Sequence, residues 1–129
     1  YSLCKDCRGK SRNLISEMLS GARWRAKEKK RVFELDKEFL LHLKKQQNNK
    51  CALTGVELNW DVMASKQGVC PKDRVSMDRI DSLQGYTKDN VQLTTIHANK
   101  FKSCWKMKDL LFFCKAILSQ TCKESKHGR

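Results

Sequence analysis

The sequence predicts a small α+β domain. Apolar residues recur at helical spacing in four segments, and short runs of strand-forming residues flank a Gly-containing turn near position 85. A length of 129 residues is enough for one domain with one modest core. The segments follow in chain order.

Residues 13 to about 31 read as a helix, because Leu14, Met18 and Ala22 recur every four residues with Ile15 and Leu19 beside them. The same helix carries Arg23, Arg25, Lys27, Lys29, Lys30 and Arg31, a run from 23 to 31 whose single acid is Glu28. Trp24 sits among them and is expected to pack in the core. Asp36 is placed to cap a second helix running to about Gln47, with Phe39, Leu40 and Leu43 as its apolar face. Lys50 to Leu58 reads as a strand or tight hairpin around Thr54-Gly55. Asn59 to Asp73 is a loop holding the only proline, Pro71.

Val75 to Ile80 is a strand, Ser82 to Asp89 a turn in which Gly85 supplies backbone freedom, and Asn90 to Leu93 a second strand. A helix follows from about Thr95 to Ser103. Met107 to Leu118 forms a last apolar helix, with Leu110, Leu111, Phe113, Cys114 and Ile117 able to pack on the core. There are no internal repeats.

Lys and Arg number 27 against 14 Asp and Glu, a formal net charge of +13. A surplus of this size calls for a polyanionic partner, most often nucleic acid. A merely solubilising surface is usually more balanced in sign. No segment approaches the roughly 20 apolar residues of a membrane span. Seven cysteines, an odd number without disulfide-framework spacing, point to a reducing intracellular compartment, cytoplasm or nucleus, or to a phage- or virus-encoded protein. The chain opens at Tyr1 without an initiator Met, which suggests a fragment. Cys4-Lys-Asp-Cys7 supplies half of a tetrahedral zinc site. The other half would lie before Tyr1 or among Cys104, Cys114 and Cys122. The alternative is a pair of free thiols.

Asp78 in a strand and Asn99 in the helix after it offer two oxygen ligands, leaving other positions for water and phosphate. That set suits Mg²⁺ or Mn²⁺. Asp81 is either an outer-shell ligand or a cap on the turn.

The blocks KCALTG (50–55), SMDRIDS (76–82), GYTKDNVQL (85–93) and HANKFKS (97–103) resemble the ββα-metal, or His-Asn-His (HNH), nuclease family. The variant is the one with Asp-Arg-Ile-Asp where most members carry Asp-His, as in restriction and phage HNH proteins. The resemblance covers residues 50 to 103 and extends more loosely to the Cys pair and basic helix. It implies a ββα-metal core flanked by helices, with an N-terminal zinc knuckle, and metal-dependent hydrolysis of DNA. It implies that Asp78 and Asn99 hold the ion and that Asn90 braces the loop between the strands.

Arg79 falls where most members place the histidine general base. A guanidinium is not deprotonated at neutral pH, so the expectation is that Arg79 clamps a phosphate oxygen. Restriction relatives use a tyrosine in the first Cys-rich hairpin, but Cys51 to Thr54 offers none. His97, Tyr86, His42 or a metal-bound hydroxide remain as the base. A second zinc site of such relatives is absent, since Cys51 stands with Thr54 and Thr95 with Ala98. Cys51 and Cys114 then read as small core residues.

The chain therefore divides into a partial zinc knuckle (1–13), a basic helical region (14–49) and an HNH core with a C-terminal helix (50–129). DNA is the expected partner, with a second copy of the chain as a further one. Its backbone would be held by Arg23, Arg25, Lys27, Lys29, Lys30, Arg31, Lys100 and Lys102. The alternatives are a catalytically degenerate DNA-binding module and an RNA-binding or RNA-cleaving domain.

Overall fold

The computed structural model describes residues 13–61 and 71–126. Cys4 and Cys7 lie outside the described residues. Helix α1 spans Leu14–Glu28 and α2 Lys37–Gln46. A two-stranded antiparallel hairpin follows, β1 at Val75–Arg79 and β2 at Val91–Thr95. Helix α3, Ile96–Lys102, leads directly out of β2, and α4 spans Met107–Lys126. The architecture is α+β with a ββα unit.

Local chemistry explains the element ends. Asn13 caps α1 by accepting from Ser16 N–H, and Asp36 caps α2 by accepting from Phe39 N–H at 2.8 Å. Helix α1 stops three residues earlier than its charge run. Lys30 takes a left-handed conformation (φ 51°), and Arg31 N–H closes back onto Ala26 C=O at 2.8 Å. Residues 50–58 form a tight turn in which Cys51 N–H bonds Val56 C=O, with Gly55 at φ +74°.

The hairpin is the central layer. Val75 and Met77 of β1 and Val91 and Leu93 of β2 share one face and join Ala22, Ala26, Leu40 and Leu43 in the core. Leu40 and Leu93 are fully buried, each stabilising the fold by roughly 1.5–3 kcal/mol. The opposite face of the hairpin is covered by α3.

Both edges of the hairpin are closed. On the β2 side the Gln47 amide bonds Leu93 twice, Nε2 donating to its C=O at 2.9 Å and Oε1 accepting from its N–H at 3.0 Å. Ala52 N–H also reaches Leu93 C=O. On the β1 side Val75 N–H bonds Asn59 C=O. Further along, Asn99 Nδ2 donates to Met77 C=O and Lys102 Nζ to Arg79 C=O.

The loop between the strands docks on the segment after α1. Tyr86 N–H donates to Val32 C=O, and Glu34 N–H to Tyr86 C=O. A Cβ on Gly85 would stand 2.5 Å from the Val32 carbonyl oxygen and 2.9 Å from its nitrogen. Gly85 is therefore required for close backbone approach rather than for turn flexibility.

Two packing expectations change. Trp24 is 64% exposed, because α1 turns its small residues Ala22 and Ala26 inward. Helix α4 runs eight residues beyond Leu118 and does not pack on the core. Ser103 at φ 47°, ψ −129° turns the chain sharply at the end of α3, and among the described side chains of α4 only Met107 and Leu110 are half-buried. Cys114 is accordingly exposed, whereas Cys51 is buried. No helix among the described residues is long and apolar enough to cross a membrane.

Gly85→Ala should cost more than about 2 kcal/mol, because the new methyl meets backbone rather than a mobile side chain. Gly55→Ala, with open space around it, should cost only about 1 kcal/mol from its left-handed backbone. Urea unfolding of the two variants checks the order; equal costs would contradict the close approach.

Candidate functional site

In an antiparallel pair, opposed residues share a face. Ser76 opposes Thr94 and Asp78 opposes Gln92, so four polar side chains line the hairpin face beneath α3. Asn99 and Lys102, three residues apart on α3, come down onto the same layer. Asn99 Nδ2 donates to Ser76 Oγ at 2.9 Å. Lys102 Nζ lies 3.2 Å from Asp78 Oδ1, and Gln92 Nε2 donates to Asp78 Oδ2 at 2.9 Å. The Lys102 and Asp78 side chains are 1% and 4% exposed. Thr94 Oγ1 is buried in this layer without a hydrogen-bond partner among the described residues.

An ammonium and a carboxylate this deeply buried must be paired, since either alone would cost several kcal/mol. Lys102 is thus a buried counter-ion and not the surface phosphate contact expected of it. Its second acceptor, the Arg79 carbonyl, completes its fixation.

The donor chemistry fits a hard divalent cation. Asp78 carries one hydrogen bond on each oxygen, which leaves further lone pairs. Asn99 uses its NH₂ as donor, which leaves Oδ1 as an acceptor. Lys102 occupies part of the Asp78 capacity. Among the described residues no three His, Cys, Asp or Glu side chains form a cluster able to hold a metal.

Arg79 points to the other face of β1. Its guanidinium donates to Gln84 C=O at 3.0 Å and stacks over the Tyr86 ring, 5.1 Å from the centroid. Strand alternation separates it from Asp78, so it serves the loop and not the polar layer. Tyr86 is buried, and its hydroxyl accepts from Arg25 Nε at 3.0 Å. Arg31 donates to Ser82 C=O. Two of the six cations of the basic run are therefore struts between α1 and the loop. Arg23 lies over the Phe33 ring at 5.1 Å, while Lys27, Lys29, Lys30 and Lys100 are exposed.

Asn90 makes three bonds within the loop. Its Oδ1 accepts from Asp81 N–H at 2.8 Å, and its Nδ2 donates to the Asp81 and Gly85 carbonyls at 3.0 and 2.9 Å. Asp81 Oδ1 caps the turn through Leu83 N–H. His97 is exposed, edge-on to Phe101 with ring centroids 4.9 Å apart. His42 is exposed on α2.

Cys51 Sγ accepts from Thr95 N–H at 3.3 Å, tying the 51–54 turn to the start of α3. Burial pushes the thiol up, but hydrogen bonds from the Thr54 hydroxyl and the Thr95, Leu53 and Thr54 amides outweigh it and hold it below its ordinary range.

Sequence reasoning missed Ser76, Gln92, Thr94 and the pairing of Lys102. The signal was there: polar residues at alternate strand positions, 76 with 78 and 92 with 94, opposite a helix carrying Asn and Lys three apart.

Removing either partner of the buried pair, by Asp78→Asn or Lys102→Met, should cost roughly 3–5 kcal/mol. The double variant should cost clearly less than the sum, a coupling that urea denaturation can measure. Additive losses would mean that the pair is not formed.

No family model matches the chain, and no curated protein matches it in sequence. Among solved structures it is similar to the rare-cutting HNH restriction endonuclease PacI, described for its perturbation of DNA. The match covers 100% of this chain and 92% of that one, with a TM-score of 0.56 and 17% sequence identity. The shared feature at this identity is the fold, a ββα HNH-like fold.

Proposed function

We propose that the chain is a metal-dependent DNA endonuclease acting through the polar layer between the hairpin and α3. One observation carries the reading: Asp78 and Asn99, from different elements, face the same layer of a ββα unit in a chain of net charge +13. The similarity in fold to an HNH restriction enzyme supports it.

Asp78 and Asn99 would hold Mg²⁺ or Mn²⁺ through oxygen. When bound, such an ion polarises a phosphoryl oxygen and stabilises the leaving oxygen. The protein's part is positional. Gln92 and Lys102 fix the orientation of Asp78, Ser76 fixes Asn99, and Asn90 keeps the inter-strand loop in one shape. Lys27, Lys29, Lys30 and Lys100 supply exposed charge for the DNA backbone, and Trp24, exposed on the same helix as Lys27, would stack on a base or sugar.

A second reading has its own observation. Lys102 already neutralises Asp78, as a bound cation otherwise would. On that reading the fold is a DNA-binding module without catalysis.

The two readings diverge in one assay. Purified protein should cleave plasmid DNA with Mg²⁺ or Mn²⁺ and not with EDTA. Asn99→Ala should lower the rate by more than roughly a hundredfold, beyond the loss typical of groups that merely support a metal. Asn99 is the cleaner probe, because changing Asp78 also strands Lys102. Binding without cleavage under every metal favours the second reading.

Both readings share a salt signature. Each exposed lysine among Lys27, Lys29, Lys30 and Lys100 that contacts a phosphate should, when changed to Ala, reduce the slope of log K against log salt by about 1. Arg25→Ala should instead lower stability, through loss of its bond to Tyr86. Unchanged slopes in all four lysine variants would place the DNA elsewhere.

A further inference from the structure

Among the described residues Asp78 is the carboxylate of the polar layer, and Lys102 already matches its charge. The other polar side chains there, Ser76, Gln92, Thr94 and Asn99, are neutral. One carboxylate against one ammonium leaves the layer with no net charge. Mg²⁺ is ordinarily bound through one or two carboxylates, and here the carboxylate is balanced before any ion arrives.

The conflict is local. Lys102 Nζ donates to Asp78 Oδ1 at 3.2 Å and Gln92 Nε2 to Oδ2 at 2.9 Å, so both oxygens are engaged. The two charged side chains are 1% and 4% exposed, and neither turns out into solvent unless α3 moves. An ion on the same carboxylate would lie beside the ammonium in a layer nearly closed to water, where like charges are weakly screened.

We propose that Lys102 competes with a divalent ion for Asp78 and so sets the concentration at which the layer takes one up. The inference rests on the reading of Asp78 and Asn99 as a metal site. Asp78 is too deeply buried to stand alone, so one cation leaves it only as another enters. Lys102 has the second acceptor that such an exchange needs, the Arg79 carbonyl at 3.0 Å. The displaced ammonium stays inside the fold, and its charge weakens metal binding. Lys102 is thus a positioning residue with two states. Without metal it holds Asp78 and seats α3 on the hairpin; with metal it keeps only the carbonyl. The protein stays folded without an ion and binds one only at high concentration.

A lysine that served structure alone would give the opposite sign. Its removal would leave Asp78 poorly held and loosen the metal. Removal of a competitor leaves an unbalanced carboxylate, which binds the metal more tightly.

The test is Mn²⁺ binding to the full chain, read from the paramagnetic resonance of the free ion, with melting temperature as a second readout. Lys102→Met should lower the dissociation constant at least tenfold. Added Mn²⁺ should raise the melting temperature of the variant more than that of the wild type. Asn99→Ala in the same background should undo most of the gain, which ties the ion to this layer. A measurement on the wild type covers the case in which Lys102→Met fails to fold: the Lys102 Cε–Hε resonance should shift on titration with Mg²⁺. Equal or weaker Mn²⁺ binding in Lys102→Met, or a Lys102 resonance unmoved by saturating Mg²⁺, would overturn the proposal. The nuclease reading survives either result if Asn99→Ala weakens metal binding in the wild type. Metal binding indifferent to Asn99 would remove both.

Discussion

The ion pair between Lys102 and Asp78 is the constraint around which the ββα unit is arranged. Two opposite charges at 3.2 Å, each nearly removed from water, tolerate little displacement, since desolvation has already been incurred and only close geometry offsets it. The pair sets the height of α3 over the hairpin. It also fixes the helix rotation, because Lys102 reaches both Asp78 and the Arg79 carbonyl. Asn99, one turn earlier, is thereby aligned with Ser76. A layer of apolar residues would hold the same elements together with less directional demand. A polar layer is worth having where the direction of particular oxygens matters, which is the requirement of a site that binds ions or phosphates.

The charge of the chain is divided between two uses. Part of it is structural: Arg25 and Arg79 enclose the Tyr86 ring, and Arg31 reaches across to the loop at Ser82. These arginines hold the inter-strand loop against α1 through planar, multi-donor groups that a lysine would not replace. The lysines of the same run, with compact and strongly hydrated heads, remain in solvent. The side-chain chemistry thus sorts a single basic stretch into fasteners and a charged exterior.

Much of this was legible in the sequence. The cap Asp36, the hairpin around Gly85 and the helix after β2 follow from local rules, and the element ends differ from expectation by only a few residues at most of them. The register that puts Asp78 and Gln92 opposite each other could not be read, because register is set by the whole hairpin and its covering layers. The burial of Lys102 was hidden for a related reason. A lysine near a helix end reads as a surface residue unless its carboxylate partner, 24 positions earlier, is known to lie beneath it. Trp24, expected in the core, faces water, while Tyr86, weighed as a candidate base, is deeply buried. Both outcomes depend on how α1 rotates, which its small inward residues Ala22 and Ala26 decide. Helix α4 was mistaken for a core helix because apolar composition signals a need for cover without saying what supplies it.

The way the hairpin is finished has a further consequence. A two-stranded sheet ordinarily presents two open margins, each a template for recruiting another strand. Here the Gln47 amide imitates a neighbouring strand at Leu93, and side chains from α3 occupy carbonyls on the opposite margin. The side-chain blockers stand at the end of α2 or on α3, while the backbone of Ala52 and Asn59 covers the rest. Resistance to amyloid-like stacking in this protein is therefore shared with the helices, and a lesion that frays the end of α2 or α3 would open part of each margin before it unfolds the sheet.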